Sequence, residues 1–147
     1  MPLKNYTTQV PADRSVSEIQ AMLQAHGASG VLMEYERGTG RIDSLSFKMS
    51  LKDRDWAFRL PMRWREAKQA MIAEGNRRAS RDDDYCYRVA WRITRDWVAI
   101  QMALVELHTV ELQEIFLPYT LRGDGKTLYE HVVLNPSRLL GSGKEEQ

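Results

Sequence analysis

Three histidines, His26, His108 and His131, are the residues of this chain best suited to proton transfer near neutral pH. None has a second histidine or a cysteine three or four positions away, the spacing that sets two metal ligands on one helical face. Asp82, Asp83 and Asp84 offer three carboxylates in a row. Consecutive side chains point different ways, however, and favourable charge at a helix N-terminus accounts for them. The run G-D-G-K at Gly123 to Lys126 lacks the G-x-x-x-x-G-K-[ST] frame and follows no strand pattern, so it reads as a turn. No G-x-S-x-G is present, and Cys86, the only cysteine, has no base placed beside it. These residues imply a binding protein rather than an enzyme, with no metal and no cofactor.

The remaining chemistry is electrostatic. Between Met62 and Arg81 stand Arg63, Arg65, Lys68, Arg77, Arg78 and Arg81 against only Glu66 and Glu74. Six cations on one helix and its following loop could neutralise several phosphates, giving binding that falls steeply with salt. The whole chain carries a net charge of only +1, so any attraction to a polyanion is local. An RNA-recognition mode by base stacking is excluded by phase. Tyr6, Tyr35, Phe47, Trp56 and Phe58 alternate with polar residues and share the apolar face.

The elements that must hold these groups follow from periodicity. At 147 residues and 43% hydrophobic content the chain is long enough for one core without disulfides or metals. We expect a single domain over residues 1–140 and a disordered tail over 141–147. Lys4 to Val10 (KNYTTQV) alternates Tyr6, Thr8 and Val10 with polar residues, predicting a first strand. Ser15 and Glu18 have the spacing of a capping box, opening a helix that stops at Gly27. Three further alternating runs, ending in DWAFRLP, complete a four-stranded antiparallel sheet covered on one face by helices. That is an α+β fold of order strand, helix, three strands, helices. A second helix is predicted from Met62 to Gly75, a long one from about Asp84 to Phe116 with a bend near Thr109–Val110, and a last one opened by Thr127 and Glu130.

Within the long helix, RVAWRITRDWVAIQMALVEL (Arg88 to Leu107) sets three arginines among two tryptophans. Stepping 100° per residue puts Val89, Ile93, Trp97, Ile100, Leu104 and Leu107 on one arc, joined by Cys86. Trp91, Val98, Met102 and Val105 form a second arc, while Arg88, Arg92 and Arg95 share the charged lane with Asp96 and Glu106. The helix is thus a core spine rather than a nucleic-acid face. Its second apolar arc needs a further partner, either the C-terminal elements or a second copy in a homodimer.

Two resemblances add to this. REAKQAM (Arg65 to Met71) resembles the start of the last helix of double-stranded-RNA-binding domains, in which lysines contact phosphates after a helix and three strands. The resemblance would make Arg65 and Lys68 phosphate ligands, with Trp64 standing where a lysine is expected. The segments KNYTTQV, FRLP, YRVAWRITRDWVAIQMALVEL, EIFLPY and KTLYE make most of the chain similar to a set of small, uncharacterised bacteriophage- and prophage-encoded proteins. That likeness implies phage or mobile-element biology in a bacterial cytoplasm. A single cysteine fits that compartment, and no apolar run is long enough to span a membrane. The leading expectation is nucleic-acid association through Arg63, Arg65, Lys68, Arg77, Arg78 and Arg81. The alternative is a protein-interaction module or enzyme inhibitor that uses a surplus helix face or the acidic strand edge around Glu34 and Glu36.

Overall fold

Residues 2–141 are described by the computed structural model, which shows an α+β architecture of three strands and six α-helices. Helix α1 (Ala12–Ala25) leads into the antiparallel sheet β1 (Gly30–Tyr35), β2 (Ile42–Leu51) and β3 (Arg54–Arg59), in the order β1-β2-β3. Then come α2 (Trp64–Ala73), α3 (Asp83–Glu106), α4 (Leu112–Phe116), a 3-10 turn at Leu117–Tyr119, α5 (Leu128–Leu134) and α6 (Ser137–Leu140). The tail expected at 141–147 lies outside the described residues from 142 onward.

The expected four-stranded sheet is corrected to three strands, because Lys4 to Val10 does not form a strand. Asn5 takes a left-handed conformation (φ 63°), and successive turns close through Tyr6 N–H to the Leu3 carbonyl (3.2 Å) and Thr8 N–H to the Asn5 carbonyl (2.9 Å). The segment is tied to α3 instead: Asn5 Nδ2 donates to Asp96 (2.9 Å), and the Tyr85 hydroxyl donates to the Tyr6 carbonyl. Alternation in a run of Thr and Gln carries too little apolar contrast to bind a sheet face. The capping box expected at Ser15 is also replaced. Helix α1 begins four residues earlier, after Pro11, so Ser15 is buried inside it and Glu18 is left for other work.

That work is the clamp between α1 and α3. Glu18 accepts from Arg92 (2.8 Å) and Arg95 (2.7 Å). Burial disfavours its ionisation, but the two arginine hydrogen bonds outweigh that and hold the carboxyl below its ordinary range. Helix α3 lies between α1 and α2 and buries Cys86, Val89, Ala90, Trp91, Thr94, Val98 and Met102. The centre of this buried face is the Ala90–Thr94 lane, so the two predicted apolar arcs are the flanks of one wide face. The first arc stays covered at its start and emerges at its end, where Ile100 is 57% and Leu107 70% exposed.

The long helical pattern breaks where a bend was expected. His108 adopts φ 59°, its N–H bonds the Val105 carbonyl (3.0 Å), and Thr109 N–H reaches back to the Leu104 carbonyl (3.3 Å). This is a Schellman stop with histidine in the position glycine favours. A Glu111–Glu114 capping box then restarts the chain as α4. The restart delivers Phe116 to the sheet, where its ring packs on Phe47 (5.3 Å between centroids), Phe58 (5.7 Å) and Trp97 of α3 (5.6 Å). Sheet and spine therefore meet through one fully buried aromatic ring.

The two sheet edges differ. The free side of β3 is covered, since Leu121 N–H donates to the Ala57 carbonyl (2.8 Å) and Thr120 bridges Phe58. Among the described residues the free side of β1 has no strand beside it.

The Glu18 clamp has a pH signature. Its folded pKa lies below the unfolded value, so the stabilisation is present above about pH 4.3 and disappears as pH falls through the folded pKa. Glu18→Gln is expected to lower urea stability by about 1–2 kcal/mol at pH 7. The gap between variant and wild type should narrow toward pH 3.

Candidate functional site

The predicted basic cluster is built on α2 and the turn before α3. Helix α2 buries Trp64 and Met71, so its charged residues point outward. Arg63 and Arg65 stand at its N-terminal end and Lys68 within it, while Arg77, Arg78 and Arg81 follow its C-terminal end.

Half of them are already paired. Arg65 meets Glu36 at 3.0 Å while its guanidinium lies 4.3 Å from the Trp64 ring centroid. Lys68 donates to Asp83 (2.7 Å), and Arg78 to Asp82 (3.1 Å). Among the described residues Arg63, Arg77 and Arg81 have no ion pair, and all three are exposed. The consecutive aspartates diverge as their spacing implies. Asp82 accepts from Tyr85 N–H (3.0 Å) and caps α3, Asp83 takes Lys68, and Asp84 takes Arg41 (2.7 Å). The Tyr85 amide and then Arg78 lower the Asp82 pKa; the Lys68 hydrogen bond lowers that of Asp83. The carboxylates expected to favour the N-terminus of α3 thus also pair with Lys68 and Arg78 of the predicted phosphate site.

The histidines serve local structure. His26 donates from Nδ1 to the Met22 carbonyl (2.8 Å) and faces Glu106 (3.1 Å), His131 faces Asp124 (3.0 Å), and His108 stops α3. Cys86 is fully buried, burial pushes its thiol pKa up, and its Sγ contacts the Ala79 carbonyl (3.4 Å), as expected for an inert core cysteine. Among the described residues no group of three or more His, Cys, Asp or Glu side chains could hold a metal ion. No described helix is long and apolar enough to cross a membrane.

What sequence reading left indistinct is a polar cleft of about 500 Å³ between the outer sheet face, the start of α2 and the start of α5. Glu34, Glu36, Asp43, Glu66 and Glu130 line it against Arg59, Arg63 and Arg65, so carboxylates outnumber arginines five to three. Arg59 is held by the Gly125 carbonyl (2.7 Å) and Glu130 (3.3 Å), which docks the α5 turn onto β3. The one sequence signal for this acidic surface was the Glu34–Glu36 spacing on β1. A second, smaller groove of about 380 Å³ runs between α1 and β1, with Val16, Gln20, Met33, Tyr35 and Tyr87 among its walls.

Exposed apolar residues gather at the end of α3, where Ile100, Leu104 and Leu107 lie, and in two further places. On β1, Leu32 is 60% and Tyr35 59% exposed. At the C-terminal end Tyr129, Val133, Leu134, Leu139 and Leu140 are all exposed, and neither α5 nor α6 buries a residue.

Comparisons of the chain with protein-family models, curated protein sequences and solved structures returned no match.

If Asp82 and Asp83 mask Arg78 and Lys68, removing their charge must unmask them. Asp82→Asn with Asp83→Asn preserves a competent N-cap. The double variant is expected to elute from a heparin column at higher salt than wild type. Unchanged elution would mean the pairs hide nothing.

Proposed function

We propose that this protein is a non-catalytic binding module whose ligand is another protein, acting in phage or mobile-element biology within a bacterial cytoplasm. The observation that carries the reading is the position of the exposed apolar residues: Leu32 and Tyr35 on one sheet strand, and the outward faces of α5 and α6. Such patches are the usual mark of a protein interface. The likeness of KNYTTQV, EIFLPY and KTLYE to phage-encoded proteins supports the biological setting.

Nucleic-acid association is the second reading, and Arg63, Arg77 and Arg81 favour it, being exposed and without an ion pair among the described residues. Against it stands the pairing of Arg65, Lys68 and Arg78. The double-stranded-RNA-binding likeness in REAKQAM assigns phosphate contacts to Arg65 and Lys68, both already held by carboxylates.

Fluorescence anisotropy with labelled single-stranded DNA, duplex DNA and duplex RNA separates the two. The protein-binding reading expects flat traces for all three polymers at near-physiological salt. Tight, salt-sensitive binding lost on Arg77→Glu with Arg81→Glu would overturn it in favour of nucleic acid.

A further inference from the structure

We infer that the open edge of β1 is a docking edge for an extended, basic segment of the partner protein, which joins the sheet as a fourth strand beside β1. This rests on the proposed protein-binding role and specifies its mode and chemistry.

Backbone geometry comes first. Leu60 N–H donates to the Leu45 carbonyl, and Ser29 N–H to the Lys48 carbonyl. Residues alternate sides along a strand, so Ser44, Ser46 and Lys48 of β2 present their peptide groups to β1. Their partners are Glu34, Leu32 and Gly30. The N–H and C=O groups of Val31 and Met33 therefore point away from β2, toward the open side. Among the described residues they find no partner there.

Natural edges are guarded by proline, lysine or a bulge within the strand. Strand β1 reads GVLMEY, without proline or lysine, and its one register shift lies at the far end, between Glu34 and Tyr35. The Lys48 side chain lies over Gly30, and the edge is open over Val31 to Glu34.

Space and charge then define the occupant. An added strand would turn alternate side chains into the groove between α1 and β1, whose walls include Val16, Met33 and Tyr87. Those positions suit apolar residues. The opposite side chains would lie beside Leu32 and Glu34, next to the cleft where carboxylates outnumber arginines five to three. Those positions suit lysine or arginine. On the groove side Arg41 pairs with Asp84, and Asp13 adds one further negative charge. A segment alternating apolar and basic residues meets every requirement of strand addition.

A second copy of the chain fits less well. Antiparallel pairing of β1 with itself about Met33 would bring the two Glu34 side chains onto a diagonal about 7–8 Å apart. Like charges would then meet where the edge needs opposite ones.

The test uses isotopically labelled full-length protein and two synthetic peptides, one alternating lysine and valine, the other glutamate and valine. The lysine–valine peptide is expected to bind, to shift the amide signals of Val31 and Met33 and to protect them from exchange. The glutamate–valine peptide is not. Leu32→Lys with Glu34→Lys, both at exposed positions, should weaken binding about tenfold or more. Val31→Pro removes one outward N–H without touching the β1–β2 ladder and should do the same. If it fails to fold, the lysine pair carries the test alone.

Equal binding of both peptides, perturbation confined to other elements, or indifference to the edge variants would overturn the inference. Self-pairing of the protein through β1, read by sedimentation, would also overturn it. A random-peptide library selected on the wild type separates the two levels. Enriched peptides that bind the edge variants equally well would leave the protein-binding reading standing and remove the edge. No enriched peptide, and no binding by either synthetic one, would remove both.

Discussion

The rest of the structure depends on the width of the apolar face of α3. Cys86, Val89, Ala90, Trp91, Thr94 and Val98 span too much of the helix circumference for any single neighbour to cover. Helix α1 takes one flank and α2 the other, while Phe116, carried by α4, joins Trp97 to the sheet. Each helix is then fastened by charge: Glu18 ties α1 to α3, and Lys68–Asp83 ties α2 to the start of α3. Such pairs contribute modestly one by one, and their role is to set how the helices sit once burial has brought them together.

That arrangement limits what is left for function. Packing α2 against α3 consumes cations that a free helix would have offered to phosphate. Apolar side chains that this packing leaves uncovered surface at the end of α3, on β1 and on the two C-terminal helices. The C-terminal segment covers the β3 edge through Thr120 and Leu121, and among the described residues nothing comparable reaches β1. One edge closed and one open is an asymmetry of the fold, and the open edge is bordered by carboxylates on both faces.

Much of this was legible in the residues. The phase of Leu45, Phe47, Met49 and Phe58 correctly assigns the buried face of the sheet; Trp64, Ala67 and Met71 the inner face of α2; Thr127 with Glu130 the cap of α5. The failures share a physical cause. Tyr6, Thr8 and Val10 alternate as a strand would, yet Asp96 and Tyr85, about ninety and eighty residues away, bind the segment as turns. Ser15 and Glu18 match a capping box, but Pro11 starts the helix earlier and the arginines of α3 claim Glu18. The basic cluster looked uncompensated because Glu36 and Asp83 are brought to Arg65 and Lys68 by folding, while Asp82, which pairs with Arg78 four residues earlier, lies just beyond the Met62–Arg81 window. Local patterns name the faces of elements; partners distant in sequence decide which charges remain free.

The most direct test of the account is backbone amide hydrogen exchange in the dilute free protein, resolved along β1. Amides of Leu32 and Glu34, which face β2, should exchange slowly, while those of Val31 and Met33 exchange orders of magnitude faster. Comparable protection at all four would mean that the edge of β1 is already occupied, and would contradict the account.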